Sequence, residues 1–307
     1  MTDYPTQVII EEQGLRDGIQ SEERILPTEE KLRLIEKLIQ AGLTHIQVAS
    51  FVHPKAVPQM ADAEEVCAGL KEVEGVTYSG LVLNPRGIDR AVKAGLKYVA
   101  ASVSASDAHS RRNANRSLSE ARAGLAEMIR LGREAGLRLR GGVQCAFGCR
   151  FQGFVDPEVV LDMVREQIDL GVDELALADS TGMADPFSLG RLVGRVVELA
   201  GERPVWLHLH DTEGRGLANA LAAIQAGVVR FDTALGGLGG CPFIKGASGN
   251  ISTEDLAVML HRMGIRTGVK VDQVGAVSRE LEEFFGHPAD GKIHRLLARS
   301  DIQLLVD

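Results

Sequence analysis

The segment LHLHDTEGRGLANA, beginning at Leu207, sets His208 and His210 two positions apart in an apolar run with Asp211 directly behind. Residues i and i+2 of a β-strand project from the same face, so both imidazoles would point one way. Two imidazoles so placed suit a divalent metal ion, and equally a hydrogen-bonded pair in a polar layer of a core. Near the N-terminus EEQGLRDGIQ carries Arg16 beside Asp17, and GGLGGCPFIKGASGN carries Cys241 and Asn250 in a glycine-rich stretch. Each of these has a plainer role open to it. Arg16 could pair with Glu12 or Asp17, Cys241 could be a small apolar loop residue, and Asn250 could cap a helix beginning near Ser252.

A scaffold must bring these stretches together. A phrase recurs along the chain as QAGLTHIQVAS, KAGLKYVAASVS, EAGLRLRGGVQ, DLGVDELALADS and QAGVVRFDTAL. Each copy follows a helix-like run and holds a Gly suited to a helix C-terminus, a short connection and a β-rich apolar run. The segments VIIEE, HIQVAS, YSGLVL, YVAASVS, RLRGGVQ, ELALADS, VWLHLH and RFDTALG are eight candidate strands separated by amphipathic helical spacing. Eight alternations predict a (β/α)8 TIM barrel, a single catalytic domain over residues 1–307. A doubly wound open sheet is the alternative, but no G-x-G-x-x-G follows the first strand. A further helix is expected at roughly residues 253–264, and roughly 265–307 form a C-terminal helical extension. In a barrel the strand interiors supply packing and the C-terminal strand ends supply chemistry. Asp17, after strand one, and the histidine pair, at strand seven, both lie near strand eight in the closed ring. One carboxylate and two imidazoles can therefore converge on a divalent ion, completed by water, substrate and an amide such as Asn250. That donor set favours octahedral Mg2+ or Mn2+ over a closed tetrahedral zinc site.

The chain is 45% hydrophobic, carries a formal charge of -8 and intersperses its basic residues with acidic ones, which argues against a nucleic-acid partner. No stretch approaches the ~18 uninterrupted apolar residues of a membrane span, and the N-terminus lacks a secretory pattern, so a cytoplasmic protein is expected. The four cysteines are too few for a disulfide framework. Cys145 and Cys149 are expected to be packing residues on the fifth strand and its loop, and Asp179 of LADSTG to bond a histidine or order its loop.

GLRDGIQ, SFVHPKAVPQMAD, CAFGC, LADSTG, LHLHDTEGRGLANAL and GLGGCPFIKGASGNISTEDL together resemble the 3-hydroxy-3-methylglutaryl-CoA lyase family, within the wider group of metal-dependent barrel lyases and Claisen-condensing synthases. The resemblance runs from about Val8 to the helix after Asp255. It implies cleavage of a 3-hydroxyacyl-CoA to acetyl-CoA and a keto acid, by a homo-oligomer (dimer or tetramer). It also implies a metal set of Asp17, His208, His210 and Asn250, and a catalytic set of Arg16, Asp17, His208 and Cys241. Arg16 would stabilise the thioester oxygen as it becomes an enolate, and Cys241 would donate or relay a proton. Gln20, Gln47 and Ser50 would bind substrate. Two positions depart from the family pattern: Gln47 stands where Glu is usual, and Leu15 where Pro is common. A neutral residue at position 47 alters the local charge, so that either the acyl group differs, as in citramalyl-CoA, or the proton is handled differently. The rival activities are a condensing synthase, a 4-hydroxy-2-oxo acid aldolase and a barrel that binds acyl-CoA without turnover.

Overall fold

The glycines of the repeated phrase are where the helices stop. Gly42, Gly95, Gly136, Gly171 and Gly227 all have positive φ, between 72° and 100°, the left-handed conformation that ends a helix and turns the chain toward the next strand. The computed structural model describes residues 4–239 and 249–299. All eight expected strands form: β1 (Ile9–Glu12), β2 (His45–Ser50), β3 (Thr77–Val82), β4 (Tyr98–Ser104), β5 (Arg138–Gln144), β6 (Glu174–Asp179), β7 (Val205–Leu209) and β8 (Arg230–Thr233). They pair in parallel in chain order, and β8 closes on β1 through Ile9↔Arg230 to Glu12↔Thr233, giving a closed (β/α)8 barrel. Helix starts carry side-chain caps, among them Asp156 and Asp185, each followed by Pro, and a Ser117–Glu120 capping box.

The packing that the strand interiors supply is largely polar. Strand alternation sends Ile10, Leu139, Leu177 and Phe231 outward beneath the helices, and it turns polar residues inward. Arg140 of β5 lies at the centre, donating to both oxygens of Glu11 and to Asp232 at 2.9 Å and to Tyr98 Oη at 2.7 Å. Its guanidinium also lies 4.0 Å from the centre of the Trp206 ring, whose N–H donates to Glu174 at 2.7 Å. A cation surrounded by three buried carboxylates is strongly committed. Replacing Arg140 with Ala is expected to destabilise the protein by about 3–5 kcal/mol, because it leaves those carboxylates buried and uncompensated. Urea unfolding checks this, and a loss below about 1 kcal/mol would show that water or neighbouring cations take over the role.

Above Arg140, β4 to β6 contribute mostly small residues to the interior, among them Ala100, Ser102, Gly142, Ala176 and Ala178, so the C-terminal mouth opens into a cavity. The far side of the mouth is fixed by the segment after β8. Ile251 N donates to Leu209 O at 3.0 Å, Asp211 N to Gly249 O at 2.9 Å, and Ala234 N to Ile251 O at 3.1 Å, which lays residues 249–252 against the ends of β7 and β8. The expected helix follows as Thr253–Arg262. The C-terminal extension contains helices Val271–Phe285 and Ile293–Leu297. It locks this corner: buried Glu254 accepts from Gly236 N, Ser252 Oγ and Ser278 Oγ, and Asp255 accepts from the backbone of Lys292 and Ile293. Among the described residues no helix is long and apolar enough to cross a membrane.

Candidate active site

Arg16 and Asp17 sit in one turn of π-helix, Gly14–Gly18, directly after β1. The wide turn returns three amides, those of Arg16, Asp17 and Gly18, to the carbonyl of Gln13, and both side chains end up buried at the mouth. Leu15, where the resemblance leads one to expect Pro, is a buried apolar residue of this turn. Arg16 pairs with Asp17, as one plain reading held, and its second arm donates to Gln13 Oε1. Glu12 plays no part in that pairing. It faces outward and accepts from Gly14 N, Leu235 N and Thr253 Oγ1.

His208 is on β7 and His210 one residue past it, bridged to Asn250 across the chain. Their Nε2 atoms are 3.1 Å apart, and Asp17, His208 and His210 each offer a ligand atom within 4.8 Å of the others. Asn250 Nδ2 donates to Asp17 Oδ2 at 2.7 Å, while Asn250 Oδ1 and His210 Nδ1 are buried without a partner. The capping role open to Asn250 falls instead to Ser252, whose hydroxyl accepts from Asp255 N. These residues fit a divalent ion on several counts. Two nitrogens 3.1 Å apart span neighbouring corners of an octahedron with bonds of about 2.1 Å, and the amide oxygen is an oxygen donor lacking any other use. The ionisation states suit it too. Burial alone would raise the Asp17 carboxyl, but Arg16, both histidines and Asn250 outweigh it and hold the group well below the usual carboxylate range. Burial, followed by the nearby His208, lowers His210 to about 4, so it is a neutral donor at pH 7.

The cavity joins these groups. Its wall includes Gln13, Arg16, Asp17, Gln20, Gln47, His208 and His210, and its floor is Arg140 and Asp232. Gln20 and Gln47 are thus brought to the site. Ser50 is not among the lining residues; it follows a register shift between Gln47 and Ala49, and its hydroxyl is buried without a partner. Cys241 lies outside the described residues. Asp179 orders its loop, accepting from Met183 N and Ala184 N, and burial raises its carboxyl to about 6. Cys145 and Cys149 are buried, unbridged thiols.

One carboxylate was missed from the sequence. Asp232 of β8 faces His208 Nδ1 at 3.5 Å and is itself held by Arg140, so it turns the other imidazole nitrogen toward Asp17 and His210. The signal was present in RFDTALG, where Arg230 and Asp232 share the inward face. Gln13 was missed as well, although it lies two residues after Glu11 on the same inward face.

The HMGL-like family model matches residues 7–281. A hydroxymethylglutaryl-CoA lyase of Bacillus subtilis is 38% identical over 285 residues, 93% of this chain and 95% of that protein. The mitochondrial hydroxymethylglutaryl-CoA lyase of Bos taurus is 41% identical over 271 residues, 88% and 83% of the two chains. Among solved structures, an HMG-CoA lyase from Acinetobacter baumannii in complex with coenzyme A and 3-methylmalate superposes with a TM-score of 0.92 at 37% identity, covering 99% of this chain and 100% of that one.

Proposed function

The chain belongs to the HMGL-like family, and on that premise we propose that it is a carbon–carbon lyase cleaving 3-hydroxy-3-methylglutaryl-CoA to acetyl-CoA and acetoacetate. The observation that carries this reading is the meeting, in one cavity, of the Asp17, His208 and His210 cluster with the Arg16 guanidinium. In the reaction the 3-hydroxyl loses its proton and the C2–C3 bond breaks. The bonding pair becomes a thioester enolate, and its terminal carbon takes up a proton.

In this reading Asp17, His208, His210 and Asn250 would hold Mg2+ or Mn2+. Such an ion, when bound, supplies Lewis-acid stabilisation of the oxygen that loses its proton. Arg16 points its charge at the thioester oxygen, and its bonds to Asp17 and Gln13 fix it there before substrate arrives. Asp232 holds His208 in one orientation, which is a positioning role. Asp17 and His208 border the place of the 3-hydroxyl, whose proton would pass to one of the two, while Cys241 would return one to the enolate carbon. Gln20 and Gln47, both on the cavity wall, complete the proposed substrate contacts. The proposal extends to a cytoplasmic homo-oligomer, a dimer or tetramer, acting on an acyl-CoA with a single catalytic domain.

A second acyl group is favoured by one observation, the neutral Gln47 on the cavity wall. Citramalyl-CoA, which would give acetyl-CoA and pyruvate, is the natural candidate. Measuring kcat/KM for a panel of 3-hydroxyacyl-CoAs, with both products identified, tests the two readings together. If position 47 selects the acyl group, citramalyl-CoA should outperform the methylglutaryl substrate, and Gln47→Glu should shift the preference back. An equal change for both substrates would show that position 47 tunes the site without selecting the acyl chain.

A further inference from the structure

Glu11 lies beneath the cavity wall, and four donors fill its carboxylate. Arg140 Nη2 at 2.9 Å and Ser79 Oγ at 2.8 Å reach Oε1, while Arg140 Nη1 at 2.9 Å and Gln13 Nε2 at 2.8 Å reach Oε2. Burial raises the Glu11 carboxyl, but the Arg140 guanidinium grips both of its oxygens, and that bidentate pairing favours the anion. That anion dictates the direction of its neighbours. The Ser79 proton is committed to Glu11, leaving the Ser79 oxygen only lone pairs to offer. Gln47 accordingly turns Nε2 toward it, at 3.5 Å. The other end of the amide, Gln47 Oε1, is buried and has no partner, and Gln47 forms part of the cavity wall. On the opposite flank Arg16, which can only donate, turns Gln13 Oε1 toward itself, and Gln13 Nε2 then donates to Glu11.

We propose that Glu11 is a positioning residue that sets the polarity of the Gln47 amide through Ser79, and that Gln47 thereby presents an acceptor which selects a 3-hydroxyl over a 3-carbonyl. This rests on reading the cavity as the acyl site. A hydroxyl satisfies the buried Gln47 oxygen, whereas a carbonyl sets two acceptors against each other and leaves both unpaired. Substrate touches neither Glu11 nor Ser79, since neither lines the cavity; their influence passes through the Gln47 amide.

The test uses 3-hydroxybutyryl-CoA and acetoacetyl-CoA, which share a carbon skeleton and differ only at C3, as inhibitors of cleavage by the full-length protein. In the unmodified protein the hydroxy compound should inhibit with a Ki about tenfold lower. Ser79→Ala frees the Gln47 amide to turn, and Gln47→Met removes it at similar volume. In each, the ratio of the two Ki values should fall severalfold toward one. A purely structural role would weaken both inhibitors equally and leave the ratio alone, so an unchanged ratio in either folded variant would overturn the proposal. If neither compound competes with substrate, the acyl-site reading fails and the inference fails with it.

Discussion

Stripping divalent ions from the protein is expected to abolish cleavage, and Mg2+ or Mn2+ is expected to restore it. The physical reason lies in the charges that line the cavity. A hydroxyl becoming an oxyanion beside Asp17 meets a carboxylate already ionised and, at His210, an imidazole that burial keeps neutral near pH 7. Without a cation nothing there offsets the second negative charge. Arg16 is already paired with Asp17 and Gln13, so it cannot replace one. Asp17→Ala or His208→Ala should lower activity by a factor on the order of 10³ and weaken Mn2+ binding, with little change in the thermal midpoint. Activity assays after exhaustive chelation, with isothermal titration of Mn2+ into each variant, check both halves. Full activity in metal-free protein would remove the metal from the reaction, and a variant that binds Mn2+ normally would remove that residue from the ligand set.

The second large effect is expected at Arg16. Arg16→Gln should lower kcat by roughly 10²–10³, about 3–4 kcal/mol of transition-state stabilisation, because it removes fixed charge aimed at a developing enolate oxygen. The folding cost should be small by comparison. The turn that carries Arg16 is held by backbone amides returning to the Gln13 carbonyl, and the side chain spans no strands. Arg16 also keeps the Asp17 carboxyl low, so the variant should bind Mn2+ more weakly at acid pH and recover as the pH rises. Steady-state kinetics at saturating Mn2+ separates the two contributions. If the kcat deficit vanishes there, Arg16 serves only the metal site.

Much of this was legible in the sequence because period and punctuation are local. The repeated Gly at each helix end and the eight β-rich runs specify alternation, and alternation in one domain leaves few topologies other than the closed barrel. The histidine pair was legible for the same reason, since i and i+2 share a face whatever the strand's neighbours. What escaped was set by partners remote in sequence. Arg140 looked like one more charged residue in RLRGGVQ, and only the closed ring reveals that it meets Glu11, Asp232 and Tyr98. Asp232 escaped because its role depends on β8 lying beside β7, where the register sets it against His208. Asn250 could not be decided from spacing, since an Asn two residues before Ser252 serves equally as a cap or a ligand. The fold gives the cap to Ser252 and bridges Asn250 to His210, which leaves the ligand role open to it.

The most direct test of the lyase reading is to follow 3-hydroxy-3-methylglutaryl-CoA and citramalyl-CoA in turn with the Mg2+- or Mn2+-loaded protein, quantifying acyl-CoA, acetyl-CoA, free CoA and keto acid in the same samples. The expected result is that at least one substrate disappears with equimolar acetyl-CoA and keto acid, acetoacetate or pyruvate respectively, and no free CoA. Persistence of both substrates, or release of free CoA with the acyl chain intact, would contradict cleavage of the carbon–carbon bond at this site.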